Sequence, residues 1–241
     1  MAELDRRTLD MRAGSAAAID EGLRSYMLRV YNYMGIGLAV TGLVAFFFNQ
    51  WATSSEAAFN MVYASPLSFV IMLSPLAFVL VLSFGINKMS FSAAQLTFWG
   101  FAVVMGLSLS SIFSVYTGTS IARVFFITAA MFGAMSLWGY TTKRDLTSMG
   151  SFLFMGLIGI IIASVVNIFL ASSALAFGIS IVGVLVFVGL TAYDTQKIKE
   201  MYVAADGSEI MGKKAIMGAL NLYLDFINLF LMLLRLFGNR D

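Results

Sequence analysis

Two stretches decide how this chain is read: Val182-Gly183-Val184-Leu185-Val186-Phe187-Val188-Gly189-Leu190-Thr191-Ala192-Tyr193-Asp194-Thr195-Gln196-Lys197 and Gly218-Ala219-Leu220-Asn221-Leu222-Tyr223-Leu224-Asp225-Phe226-Ile227-Asn228. Each is a long apolar run with one carboxylate set in it, Asp194 in the first and Asp225 in the second. An ionised Asp in hydrocarbon costs several kcal/mol, so each needs a partner, water, a cation or a proton. That need makes the two aspartates the leading functional residues.

Working outward, the composition is 60% hydrophobic and 12% charged, with a mean hydropathy of +0.88. Apolar runs of about 20 residues, the length that crosses a bilayer, recur along the chain, which predicts an all-α, polytopic membrane protein. A net charge of +2 is too small to point to nucleic acid. Cysteine is absent, so disulfides and thiol chemistry are excluded, and histidine is absent as well. A pH response between about 5 and 8 therefore has to come from a carboxylate or lysine altered by its surroundings.

The chain divides into a polar N-terminal tail, residues 1–29, and a single transmembrane domain, residues 30–241. Seven spans are placed at 30–49, 66–86, 93–115, 120–140, 151–171, 174–196 and 216–237. With the tail inside, the inner segments hold Arg6, Arg7, Arg12, Arg24, Arg29, Lys88, Lys143, Arg144, Lys197, Lys199, Lys213 and Lys214. The outer ones keep Arg123, Arg235 and Arg240. This asymmetry predicts a cytoplasmic N-terminus and an external C-terminus. No apolar core closely follows Arg6-Arg7, which argues against a twin-arginine export signal, and the tail reads as retained, helical around Ala16 to Val30 at the membrane surface.

Within the spans, Gly156, Gly159, Ala163 and Asn167, and likewise Gly35, Ala39 and Gly42, form stripes of mainly small residues where helices are expected to pack closely. Ser108, Ser111 and Ser114 share one face of the third span, as packing residues or as the lining of a wet passage. Pro75 falls in mid-span and is expected to kink its helix.

Asp225 lies about nine residues into the last span, roughly 14 Å from its inner end at ~1.5 Å per residue. Asn221, Asp225 and Asn228 form one polar stripe that must face the bundle interior. Asp194 sits near the inner end of the preceding span, with Thr191 one turn before it. Consecutive spans are antiparallel neighbours by default, so the carboxyls are expected in one polar site supported by Thr191, Asn221 and Asn228. Two such groups away from water cannot both ionise cheaply: one proton is shared, or a divalent cation such as calcium is held, and the two compete. The bland alternative is that each Asp is protonated and bonds a backbone carbonyl.

At these residues, Phe187 to Lys197 and Leu222 to Phe230 resemble the signature segments of the transmembrane Bax inhibitor motif (Bax inhibitor-1-like) family, and Phe132 to Leu146 resembles that family's fourth span and following loop. The likeness covers everything after the tail and is closest to bacterial members. It implies a seven-helix bundle with the C-terminal helix at its centre, in a bacterial plasma (inner) membrane. It also implies a pH-dependent calcium leak sensed by Asp194 and Asp225, with calcium and protons as the species handled and no cofactor required. The family is further associated with regulating cell death and, in some bacterial members, a membrane protease, so a regulatory protein without transport is the alternative. Some members latch the pair through an Arg on the second helix, and the span from Pro66 to Ile86 has none. Tyr193-Asp194 resembles half of an intramembrane aspartyl protease, but Asp225 follows Leu222-Tyr223-Leu224 where a Gly-x-Gly turn is wanted, so no enzyme is expected.

Overall fold

The structure, a computed structural model, describes residues 2–239, with side chains from residue 20 onward. The side chains of Arg6, Arg7, Arg12 and Arg240, which entered the charge count, lie outside the described residues. Helix α1 (Ala2–Ala52) runs unbroken from the tail into the first span, so no loop marks the boundary at residue 29. A short α2 (Glu56–Phe59) passes into a π-helical turn, Asn60–Ala64, and then follow α3 (Leu67–Gly85), α4 (Phe91–Leu109), α5 (Ile112–Val115) and α6 (Gly118–Thr141). The chain ends with α7 (Thr147–Leu170), α8 (Ser173–Glu200) and α9 (Ser208–Phe237). Seven of these stretches are long and apolar enough to span a membrane, α4 and α5 together forming the third.

The helix starts follow from local chemistry. Ser55, Ser90, Thr117 and Ser172 each accept a hydrogen bond from the backbone N–H three residues on, satisfying a donor the helix leaves open. The α7–α8 connection is only two residues long and places Ala171 at φ 48°, while Asn167 accepts from the Ser172 N–H. Pro75 lies inside α3, and the Ile71 carbonyl, which its missing N–H cannot reach, accepts from the Ser74 hydroxyl at 2.8 Å.

Helix α9 is the axis of the bundle. In its most apolar window 72% of residues are buried, against 11% in α3 and in α7. It packs against α1, α4, α6 and α8 and touches α3, while α7 is held chiefly by α8. Lipid tails are as apolar as leucine, so association has to rest on close packing and hydrogen bonds between helices rather than on hydrophobicity. Tyr223 on α9 meets Thr41 on α1 at 2.6 Å, and Thr41 donates to the Ala102 carbonyl on α4 at 2.8 Å, tying three helices together. Phe98 and Phe101 stack edge-on against the Tyr223 ring.

Of the glycines in the small-residue stripes, Gly156 alone makes a close approach. Gly35 and Gly159 are exposed with open space beside them, Gly42 borders a cavity it shares with Phe125 and Phe226, and an added Cβ at Gly156 would lie 3.0 Å from a Val186 methyl. Tight crossings occur instead at Gly106, whose added Cβ would lie 2.8 Å from the Thr41 carbonyl, and at Gly139. The serine face is also interrupted. Helix α4 stops at Leu109, and the turn at Ser110 and Ser111 is held by Ser110 bonding the Leu107 carbonyl and Tyr63, and by Asn49 donating to Ser114. Ser108, Ser111 and Ser114 nevertheless line one cavity of about 380 Å³ with Tyr63 and Ser68.

Candidate functional site

Helices α8 and α9 lie side by side and antiparallel. On one side of the site Gly218 lets Ile198 approach to within 3.0 Å of a Cβ built there; on the other Gly183 does the same for Met232 at 2.9 Å. Between these two contacts the register brings Asp194 and Asp225 together, their carboxyls within hydrogen-bonding reach. The expected juxtaposition of the two aspartates is therefore present, on the helices named for it.

Asp225 is 5% exposed, deep in the axis of the bundle, and Asp194 is half-buried toward the end where α8 and α9 are joined. The Oδ2 of Asp225 meets no donor group among the described residues. Neither aspartate has an ion-pair partner among them either: the ion pairs are Lys213–Glu209 at 3.0 Å and Lys214–Asp206 at 2.5 Å. Lys197, the nearest cation on α8, is exposed with its ammonium 5.8 Å from the Tyr193 ring centre. Helix α3 carries no arginine to latch the pair. A carboxyl facing a carboxyl, without a donor or a fixed cation, is satisfied by a proton between them or by a mobile cation.

The supporting residues divide. Thr191 is fully buried and its hydroxyl donates to the Phe187 carbonyl at 2.7 Å, leaving the oxygen's lone pairs unused. Asn228 donates to the Leu224 carbonyl at 2.8 Å, so its amide oxygen remains available. Asn221 is half-buried. Calcium takes six to eight oxygens, more than two carboxylates supply, so carbonyls, these side chains and water would complete its shell.

Contacts that sequence reading missed hold α8 in place. A Cβ at Gly139 of α6 would lie 2.2 Å from the Ala192 carbonyl, so α6 and α8 touch backbone to backbone two residues before Asp194. Gly150 of α7 gives the same closeness to the Tyr193 ring. Gln196 accepts from the Leu146 N–H at 2.9 Å and donates to the Arg144 carbonyl at 2.8 Å, clamping the α6–α7 loop. Ser136 joins Thr195 at 2.9 Å and also bonds Tyr31, linking α8 through α6 to α1.

Comparison with known proteins places this geometry in a family. Residues 23–241 match the model for the inhibitor of apoptosis-promoting Bax1. The chain is 49% identical over 232 residues to the inner membrane protein YbhL of Escherichia coli, covering 95% of this chain and 97% of that one. It is 53% identical over 221 residues to the uncharacterized protein RP147 of Rickettsia prowazekii, covering 92% of each. It is also 35% identical over 222 residues to an uncharacterized membrane protein of Streptococcus pyogenes, covering 92% of this chain and 96% of that one. With a match over nearly its whole length and seven membrane-spanning helices, the chain belongs to the Bax inhibitor-1-like family of membrane proteins.

Proposed function

We propose that this protein is a pH-sensitive calcium leak of a bacterial inner membrane, in which the Asp194–Asp225 pair is both the proton sensor and the cation site. The observation that carries this reading is the pairing of two carboxyls inside the bundle with neither in an ion pair among the described residues. A hard, oxygen-only pair suits a divalent cation, and metal binding to carboxylates releases protons. Falling pH therefore loads the pair with protons and empties it of the ion; rising pH does the reverse. The charge asymmetry supports an orientation with Arg24, Lys88, Lys143 and the α8–α9 loop on the cytoplasmic side, and Arg123 and Arg235 outside. YbhL is named an inner membrane protein, which supports the same location here.

The test is calcium entry into dye-loaded liposomes across about pH 5 to 8, for the parent protein and for Asp194→Asn and Asp225→Asn. A pH-dependent flux in the parent that both variants flatten is the expected result. No flux above protein-free liposomes, from protein shown to be folded, would overturn it and direct attention to a membrane partner.

A further inference from the structure

A second cavity lies between α1 and α6, at the end of the bundle that carries Arg24. Its volume is about 510 Å³, within the span of ordinary ligand pockets, about 300–1,000 Å³. Arg24, Met27, Leu28 and Tyr31 line it from α1, and their spacing puts all four on one helical face. Gly133, Ser136, Leu137 and Tyr140 line it from α6, again on one face. These helices barely pack on each other; the Tyr31–Ser136 hydrogen bond joins them across the gap. The result is an apolar cleft with hydroxyls at its floor.

Charge is confined to one end. Arg24 is exposed there and forms no ion pair among the described residues. Lys199 of α8 reaches Tyr140, which lines that end of the cleft, donating to its carbonyl at 2.8 Å with the ammonium 5.2 Å from the ring centre. The exposed faces of α3 and α7 are equally apolar but carry no cation. Basic pockets between membrane helices on the side facing anionic lipid are suited to phosphate headgroups.

We propose that the α1–α6 cleft is a binding site for an anionic glycerophospholipid, one acyl chain lying between Leu28 and Leu137 and the phosphate meeting Arg24 and Lys199. A lipid is favoured over free phosphate because the depth of the cleft is apolar and only its rim is charged. From Arg24 to Tyr31 it extends roughly 10 Å along α1, at ~1.5 Å per residue. Its floor is Ser136, which bonds Thr195, the neighbour of Asp194. An occupant would thereby brace α1 and α6 against the helix that carries the aspartate.

Purified protein in neutral detergent is titrated with phosphatidylglycerol, phosphatidylcholine or inorganic phosphate, and binding is read by native mass spectrometry and by thermal midpoint. Phosphatidylglycerol is expected to bind and to raise the midpoint. Arg24→Gln weakens its binding by about fivefold or more. Gly133→Leu, at a position where an added Cβ meets no neighbour, puts its side chain into the cleft and weakens binding. Lys88→Gln, a basic change outside the cleft at the same end, leaves binding unchanged. Equal binding of phosphatidylcholine, binding of phosphate alone at the same strength, or indifference to both Arg24→Gln and Gly133→Leu in folded protein would each overturn the proposal.

Discussion

Asp225 and Asp206 show two ways in which one side-chain type is accommodated around the same helix. Asp206, in the loop before α9, receives the Lys214 ammonium at 2.5 Å, and that ammonium also donates to the Met201 carbonyl at 2.8 Å. Its counter-charge is covalently part of the chain. Asp225, in the middle of α9, faces Asp194, and its Oδ2 meets no donor group among the described residues. On the proposed function, what balances it is a proton or an ion that comes and goes. A fixed cation makes a structural joint, whereas a mobile proton or metal ion makes a site whose occupancy follows the surroundings.

The largest effect is expected where the mobile site depends on backbone contact. Gly139→Ala would place a Cβ 2.2 Å from the Ala192 carbonyl, which no rotamer change can relieve, so α6 and α8 must separate. Overpacking of this kind costs about 1–3 kcal/mol and sometimes more. The upper part of that range is expected here, because the listener to the clash is backbone. The unfolding midpoint in detergent should fall clearly for Gly139→Ala and stay put for Gly133→Ala, which meets open space. Equal midpoints for the two would mean that the α6–α8 contact does not hold Asp194 in place.

A smaller effect is expected at the fixed joint. Lys214→Met removes a partly exposed ion pair and a hydrogen bond to Met201, a loss of about 1 kcal/mol. The same variant should keep the pH dependence of calcium flux, since Lys214 pairs with Asp206 and not with the intramembrane aspartates. Loss of the pH response in folded Lys214→Met protein would break the distinction between the joint and the site.

Much of this arrangement was legible in the sequence because membrane spans declare themselves by length and apolar content. The seven spans, and the pairing of Asp194 with Asp225 on adjacent antiparallel helices, follow from hydropathy and spacing. The last helix begins at Ser208 rather than near residue 216 because its first turns lie among polar residues, where Glu209 and Lys213 pair at i, i+4. The small-residue stripes misled for a different reason. Lipid and protein neighbours are equally apolar, so a Gly-rich face does not reveal which of them it meets, and Gly35 and Gly159 turn outward while Gly139 turns inward. The clamp made by Gln196 and the break at Ser110 depend on partners distant in sequence, Leu146 and Tyr63, which no local pattern identifies.

The smallest expected effect lies at a third aspartate, which contrasts with both others. Asp145 sits in the loop before α7, fully in solvent, and accepts from the Thr147 N–H at 2.8 Å, occupying a donor that the helix start leaves open. Hydrogen bonds from the Thr147 side chain and then its backbone hold this carboxyl below the ordinary carboxylate range. A depressed folded value contributes stability above the unfolded pKa of about 3.9, and that contribution is lost as pH falls through the folded value. Asp145→Ala should therefore lower the thermal midpoint slightly at pH 7, with the gap to the parent closing in more acidic solution. Its calcium flux should match the parent's throughout, because this carboxyl already has its donors and lies outside the membrane. A gap that widens with acid would show that Asp145 does not act as a helix-start acceptor.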